Sequence, residues 1–190
     1  MMVRTARVVG DGVSHHVIQR GNRGQRVFFY TDDRKAYLQI LSTQTRKFDV
    51  RVWAYCLMDN HVHLIVTPVR GENLAKAIGE THKKYTRMIN FREGWRGYLW
   101  EGRFKSFVLD EKYVYAAVRY VERNPVRAKI VERAEDYLWS SAQAHVRKKQ
   151  DPLLSNFYLL DQIDDWSDYL RQENSDENLI PGTRTVRVPK

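Results

Sequence analysis

The sequence has little cysteine, no long apolar segment and few acidic residues in its main part. One cysteine, Cys56, excludes a disulfide framework within the chain and is typical of a reducing compartment. No run of about 18 apolar residues is present, so a membrane span is not expected. The amino-terminal stretch also lacks the apolar core of a signal peptide. We therefore expect a cytoplasmic protein.

Positive charge is concentrated in the first 150 residues. Of the formal charge of +9, residues 1–150 contribute +13 and residues 151–190 contribute −4. Basic and aromatic residues are interleaved in KKYTRMINFREGWRGYLWEGRFKSF, a mixture that suits phosphate contacts and base stacking. A solvated basic surface is the simpler alternative, but the interleaving favours a nucleic-acid partner. We expect one domain over 1–150 and an acidic tail over 151–190 that is partly disordered at its end.

The order of predicted elements is strand, helix, strand, strand, helix, strand and helix. VRVWAYCL and HVHLIVTP, joined by MDN, have the pattern of a hairpin. RVFFY and YLWEGRFKSFVL read as extended segments. This order favours an α+β fold, a ferredoxin-like (RRM-like) antiparallel sheet with two helices on one face. The third helix, EKYVYAAVRYVERN, is additional to that pattern.

Two histidines flank one valine in the predicted strand HVHLIVTP. Side chains alternate along a strand, so His61 and His63 share one face and Val62 lies on the other. Because the valine face can pack under the helices, we expect the histidines on the opposite, more open surface. Two imidazoles at this spacing can bind one metal ion if a third ligand and open positions exist. Two surface histidines without a metal are the alternative.

The third helix offers a ligand and a nucleophile on adjacent turns. Tyr120 and Asn124 are four residues apart and so lie on one helical face. Together with the two histidines they would form a metal-assisted phosphoryl-transfer site. The alternatives are that Tyr120 is a core residue and that Asn124 only ends the helix before Pro125.

Three ordered segments, HVHLIV, LWEGRFKSF and YVERNPVRA, resemble the single-tyrosine HUH transposases, in particular the REP-associated tyrosine transposases. HHVIQRGN and WSSAQAHV are similar as well, so the resemblance extends over about residues 10–148. It implies that Tyr120 is the catalytic residue and that His61, His63 and Asn124 bind a divalent metal ion, Mg²⁺ or Mn²⁺. Asparagine, where insertion-sequence relatives often have glutamine, implies a monomer rather than an intertwined dimer.

The resemblance also implies an enzyme with a defined reaction. The expected activity is a metal-dependent single-stranded DNA endonuclease and strand transferase that forms a 5′-phosphotyrosine intermediate beside hairpin-forming repeats. Such a protein would be associated with the nucleoid. The alternatives are a non-catalytic single-stranded nucleic-acid-binding protein, as in a domesticated transposase, and a metal phosphodiesterase that uses water as nucleophile.

Contacts with DNA are expected from three groups of residues. They are Arg20, Arg23 and Arg26 in the Gly-rich turn, Lys83, Lys84 and Arg87 on the second helix, and Arg103, Phe104 and Lys105 before the last strand. The basic side chains would contact phosphates, and the phenylalanine would stack on a base. Taken singly, each basic residue could equally be a solvated charge.

Overall fold

The computed structural model of the protein describes residues 9–156 and 162–172. One antiparallel sheet is formed by β1 (Ser14–Arg20), β2 (Val50–Met58), β3 (His61–Pro68) and β4 (Lys105–Leu109). The strands lie in the order β2-β3-β1-β4. Since one long helix joins β1 to β2 and another joins β3 to β4, this is the ferredoxin-like arrangement, and the predicted fold class is confirmed.

The α-helices of the described residues are two long ones and four shorter ones. They are α1 (Thr31–Lys47), α2 (Gly71–Glu93), α3 (Glu111–Glu122), α4 (Asn124–Arg127), α5 (Ala142–Arg147) and α6 (Trp166–Arg171). Gly94 ends α2 in the left-handed region, with φ 66°, a conformation that glycine adopts without strain. Pro125 stands in the first turn of α4, where its missing N–H costs no hydrogen bond, and it separates α4 from α3.

The first core lies between the sheet and the helices α1 and α2. Val62, Leu64 and Val66 point from β3 into this core and are fully buried. Tyr85 of α2 is also fully buried, and its hydroxyl donates a hydrogen bond of 2.6 Å to the carbonyl of Val27. The alternation along β3 therefore places the valine side under the two long helices, as the sequence predicts.

The opposite face of the sheet is covered as well. Val118 and Val121 of α3 share a second core with Cys56 of β2 and Ile65 of β3. The expectation that the histidine face is open is therefore wrong, because the apolar side of α3 packs across β2 and β3. His61 and His63 lie on this covered face, and the whole of β3 is buried.

Two segments that read as extended differ from the prediction. The last strand is confined to Lys105–Leu109, while Leu99 and Trp100 before it are buried in a loop. RVFFY forms no strand; Val27 and Phe28 lie in the first core, and their amides donate to the carbonyl of Asp59. Tertiary packing in loops accounts for apolar residues that the sequence pattern assigns to strands.

Part of the acidic tail packs against the domain. Trp166 and Leu170 of α6 are buried, and Trp166 Nε1 donates a hydrogen bond of 2.8 Å to Glu122 Oε2 of α3. The disorder predicted for the end of the tail concerns residues outside the described ranges, and the division at residue 150 stays a prediction. Among the described residues, no helix is both long enough and apolar enough to span a bilayer.

Candidate active site

The rings of His16, His61, His63 and Tyr120 meet on the sheet face that α3 covers. β1 supplies His16, β3 supplies the other two histidines and α3 supplies the tyrosine. The register of β1 on β3 pairs Ile18 with His63, so the His16 ring lies diagonally beside the His63 ring. The two rings are stacked with centroids 5.2 Å apart, and His16 Nε2 lies 2.9 Å from His63 Nδ1, a hydrogen bond.

Tyr120 packs against this pair with its ring edge-on. Its centroid lies 5.9 Å from that of His16 and 5.8 Å from that of His63. The His61 and His63 rings are 4.9 Å apart at their centroids, nearly perpendicular to one another. The structure therefore brings the predicted nucleophile into contact with one predicted ligand and places the second ligand next to it.

Asn124 lies one helical turn beyond Tyr120, at the start of α4. Its side-chain amide donates a hydrogen bond of 3.1 Å to the backbone carbonyl of Tyr120. This contact fixes the carboxamide, and it leaves the carboxamide oxygen as the atom that could serve as a metal ligand. The break between α3 and α4 comes at Arg123, so Tyr120 and Asn124 lie within one helical turn of it on opposite sides.

Burial sets the protonation state of the two predicted ligands. It lowers the pKa of His61 to about 4, and the positive charge of Arg20 adds to the effect. Burial likewise holds the pKa of His63 well below its usual range, with further contributions from His61, His16 and Arg127. Both imidazoles are neutral at pH 7, which is the form that binds a metal ion.

The residues present fit a divalent metal ion. His61 Nδ1 lies 2.6 Å from Asn60 Oδ1, and His63 Nδ1 bonds to His16. With Nδ1 engaged in both rings, Nε2 is the nitrogen through which each would bind, and neighbouring polar atoms orient each ring. Within residues 9–156 and 162–172 no group of three His, Cys, Asp or Glu side chains is placed to hold a metal. The Asn124 carboxamide is the third ligand that the sequence predicts.

Sequence reasoning missed two residues of this site. The guanidinium carbon of Arg127 lies 4.5 Å from the Tyr120 ring centroid, a cation–π contact. Arg127 stands at helical spacing from both Tyr120 and Asn124, which is the signal that could have found it. His16 could have been found from the histidine-rich first strand, since an antiparallel neighbour of β3 can present a ring to the same face.

Five predicted DNA-contacting residues lie at the same end of the sheet as His61. Arg20 is partly buried and stands opposite His61 in the β1–β3 register. Arg23 and Arg26 are exposed in the following turn, and Arg26 pairs with Asp59 at 2.7 Å. Arg103 and Lys105 are exposed at the start of β4.

The other predicted contacts are not brought to the site. Lys83, Lys84 and Arg87 are exposed on α2, which packs on the sheet face opposite the histidines. Phe104 is 6% exposed and packs in the first core near the His82 ring. Because its ring is enclosed there, the predicted stacking of Phe104 on a base does not fit the structure.

Comparison with known proteins identifies the class. The family model described as "Transposase IS200 like" matches residues 11–124, a span that contains the histidines, Tyr120 and Asn124. The chain therefore belongs to the IS200-like transposase family.

Two of the similar proteins carry the name of the REP-associated branch, which the sequence motifs resemble. A Haemophilus influenzae chain that carries the name REP-associated tyrosine transposase is 24% identical over 147 residues, covering 72% of this chain and 81% of that one. A solved structure of a REP-associated tyrosine transposase bound to a REP hairpin is 19% identical, with a TM-score of 0.66, covering 82% of this chain and 93% of that one. The resemblance drawn from the motifs is confirmed, and the solved structure shows that the fold is shared.

Proposed function

We propose that this transposase-family protein is a metal-dependent endonuclease and strand transferase acting on single-stranded DNA beside a hairpin, with Tyr120 as its nucleophile. The observation that carries the proposal is the contact of the Tyr120 ring with His16 and His63, next to His61. Family membership supports the reaction class. A basic domain of charge +13 supports the DNA substrate.

The chemical step is one displacement at phosphorus. The Tyr120 phenolic oxygen attacks the scissile phosphate in line, the bond from phosphorus to the 3′ oxygen breaks, and a 5′-phosphotyrosine forms. The phenol loses its proton, and the departing 3′ oxygen takes one up. Because the phosphodiester energy is kept in the new bond, attack by a free 3′-hydroxyl can rejoin the strand without a nucleotide cofactor.

His61, His63 and Asn124 would hold the metal ion. When bound, the metal supplies Lewis-acid polarisation of the scissile phosphate. Two imidazole ligands favour Mn²⁺ over Mg²⁺ on chemical grounds, although either meets the expectation from the family. His16 orients the His63 ring through its hydrogen bond.

Arg127 would act beside the nucleophile. Its guanidinium group lies against the Tyr120 ring, next to the position that the scissile phosphate would take. Its positive charge would stabilise the phosphate as negative charge develops on it. Arg127 is exposed, so an incoming strand can reach it.

The proposed partner is DNA with an unpaired segment next to a palindromic stem. This proposal is supported by the similar solved structure, which is bound to a REP hairpin. We propose that the protein acts as a monomer and is associated with the nucleoid, since its substrate is there.

Covalent trapping tests the proposal. Labelled hairpin oligonucleotides with varied unpaired flanks are mixed with the protein and Mn²⁺, Mg²⁺ or a chelator, and resolved on a denaturing gel beside Tyr120→Phe. The expected result is a metal-dependent shifted band that Tyr120→Phe lacks. Metal-dependent cleavage without an adduct would instead indicate a phosphodiesterase that uses water. Binding with neither cleavage nor adduct would indicate a non-catalytic DNA-binding protein.

A further inference from the structure

A small pocket with aromatic walls lies outside the tyrosine site. It has a volume of about 300 Å³ and lies between the turn after β1 and the loop after α2. Its lining includes Asn22, Gln25, Asn90, Trp95, Arg96 and Tyr98. This volume is at the lower end of the range for small-molecule sites and suits one nucleobase rather than a large cofactor.

The aromatic rings of this pocket are exposed although the loop that carries them is held in place. Tyr98 is 85% exposed and Trp95 is 45% exposed. The Trp95 amide donates to the Asn90 carbonyl at 2.9 Å, and the Asn90 side chain donates to the Gly97 carbonyl at 3.0 Å. The Trp95 ring packs edge-on against Phe29, with centroids 5.5 Å apart. Fixed aromatic surfaces left open to solvent are the arrangement that base stacking requires.

Hydrogen-bond donors and acceptors surround the Trp95 and Tyr98 rings. The amide of Asn22 donates to the carbonyl of Leu99 at 2.8 Å, and the Gln25 side chain donates to the same carbonyl at 3.2 Å. These bonds tie the turn to the loop and form the floor of the pocket. Carboxamides of Asn and Gln offer donors and acceptors, as the edge of a base does, and Arg96 offers charge for the adjoining phosphate.

The pocket lies at the catalytic end of the sheet. Arg20 is paired with His61 in the β1–β3 register, and Gly21 donates to the Asn60 carbonyl at 2.8 Å. Asn22, the next residue, already lines the pocket. The pocket lining thus begins two residues after Arg20, the residue that pairs with His61.

We propose that this pocket binds one unpaired nucleobase of the single-stranded flank, stacked on Trp95 and Tyr98. The assignment rests on the proposed DNA-cleaving function and names a contact by which the flank is positioned. Exposed aromatic residues can also mark a protein interface, but the polar floor and the neighbouring Arg23 and Arg96 favour a base with its phosphate.

The test measures hairpin binding by fluorescence anisotropy in the cleavage-deficient Tyr120→Phe protein. Trp95→Ala and Tyr98→Ala are added together, and Phe91→Ala is the matched control because Phe91 is 91% exposed on α2 but does not line the pocket. Thermal unfolding monitors the fold of each variant. An abasic site is placed in turn at each position of the flank.

The double variant is expected to bind about ten-fold more weakly, and Phe91→Ala to bind like its parent. One abasic position should weaken the parent by a similar factor and leave the double variant unaffected. Equal binding by parent and double variant would overturn the pocket assignment, as would a loss that persists when the whole flank is abasic. If the unmodified protein neither binds hairpins nor forms the adduct, the proposed function and the pocket assignment both fall; an adduct with no effect of the double variant removes only the pocket.

Discussion

The guanidinium carbon of Arg127 lies 4.5 Å from the centroid of the Tyr120 ring. Arg127 comes from α4 and Tyr120 from α3, so the short break at Arg123 and Pro125 determines how the charge sits relative to the ring. On its other sides the Tyr120 ring packs edge-on against the imidazoles of His16 and His63. A buried phenol enclosed by aromatic rings and one cation has little freedom to leave its orientation.

Replacing Arg127 should slow formation of the DNA adduct. Arg127→Gln removes the charge beside Tyr120, and we expect the single-turnover rate to fall about ten-fold or more. Arg127→Lys keeps the charge but loses the planar contact with the ring. Its single-turnover rate should lie between those of Arg127→Gln and the unmodified protein. The rate is measured with protein in excess over DNA, so that each substrate molecule is cleaved once. Identical rates for Arg127→Gln and the unmodified protein would contradict the assigned role.

Removing His16 should weaken metal binding without removing a ligand. His16 bonds to His63 Nδ1, and loss of such an orienting contact costs about 10- to 100-fold in metal affinity or activity. His16→Ala is compared with His63→Ala by calorimetric titration with Mn²⁺. The first should bind weakly and the second should not bind measurably. If His16→Ala binds Mn²⁺ as tightly as the unmodified protein, the hydrogen bond has no orienting role.

The Asp33 carboxylate should make the stability of the folded protein depend on pH in the acid range. Burial acts to raise the pKa of this carboxyl, but the Arg92 guanidinium and the amides of Tyr30 and Phe29 outweigh it, so the pKa lies below 3.8. A depressed pKa stabilises the folded state fully above the unfolded value, and the contribution is lost as pH falls through the folded value.

Asp33→Asn should accordingly lower the free energy of unfolding by about 2 kcal/mol at pH 7, a figure reduced because Arg92 is partly exposed. The difference in free energy of unfolding between Asp33→Asn and the unmodified protein should shrink as the pH falls below about 4. Urea unfolding at pH 7 and at pH 3 measures it. A difference that stays constant between the two pH values would show that the carboxylate charge is not what stabilises the start of α1.

The buried Glu122 links α6 to α3, the helix that carries Tyr120. Its carboxylate accepts from Trp166 Nε1 at 2.8 Å, hydrogen-bonds to Ser141 and lies 2.6 Å from His145 Nδ1. Trp166→Phe keeps most of the packing but removes one donor to the carboxylate, which should cost about 1–2 kcal/mol of stability. Trp95→Phe is the control, because that tryptophan is partly exposed and should leave the unfolding midpoint unchanged. Equal midpoints for the two variants would mean that the hydrogen bond from Trp166 to Glu122 does not stabilise the domain.

Local sequence pattern predicted which residues share a face, and tertiary packing decided what covers each face. The period of two in HVHLIVTP placed His61 and His63 together, whereas their burial depends on α3 packing across strands distant in sequence. The continuous apolar segments Val52–Met58 of β2 and Leu64–Val66 of β3 are typical of strands buried on both faces, and they could have indicated the second layer.

Charged neighbours concealed two other buried residues. Phe104 lies between Arg103 and Lys105, and Trp166 follows two aspartates, so the local pattern gives no sign that these two side chains are buried. Their burial follows from long-range contacts, with the first core in one case and with Glu122 in the other. Sequence alone gives no distance between such partners.

The two sheet faces should contribute unequally to DNA affinity. Arg103 and Lys105 lie at the same end of the sheet as His61, and Lys83 and Lys84 lie on α2 beyond the opposite face. Replacing either pair with glutamine removes the same charge, so long-range attraction changes alike and only direct phosphate contacts differ. Each lost contact with a single strand reduces the slope of log K against log salt by about 0.7. We therefore expect Arg103→Gln with Lys105→Gln to flatten the slope by about 1.4, and the α2 pair to flatten it less.

Hairpin affinities measured over a range of potassium chloride concentrations give both slopes. An equal or larger effect of the α2 pair would mean that the DNA path extends across the helix face, because exposed lysines there can change the slope only by contacting phosphates.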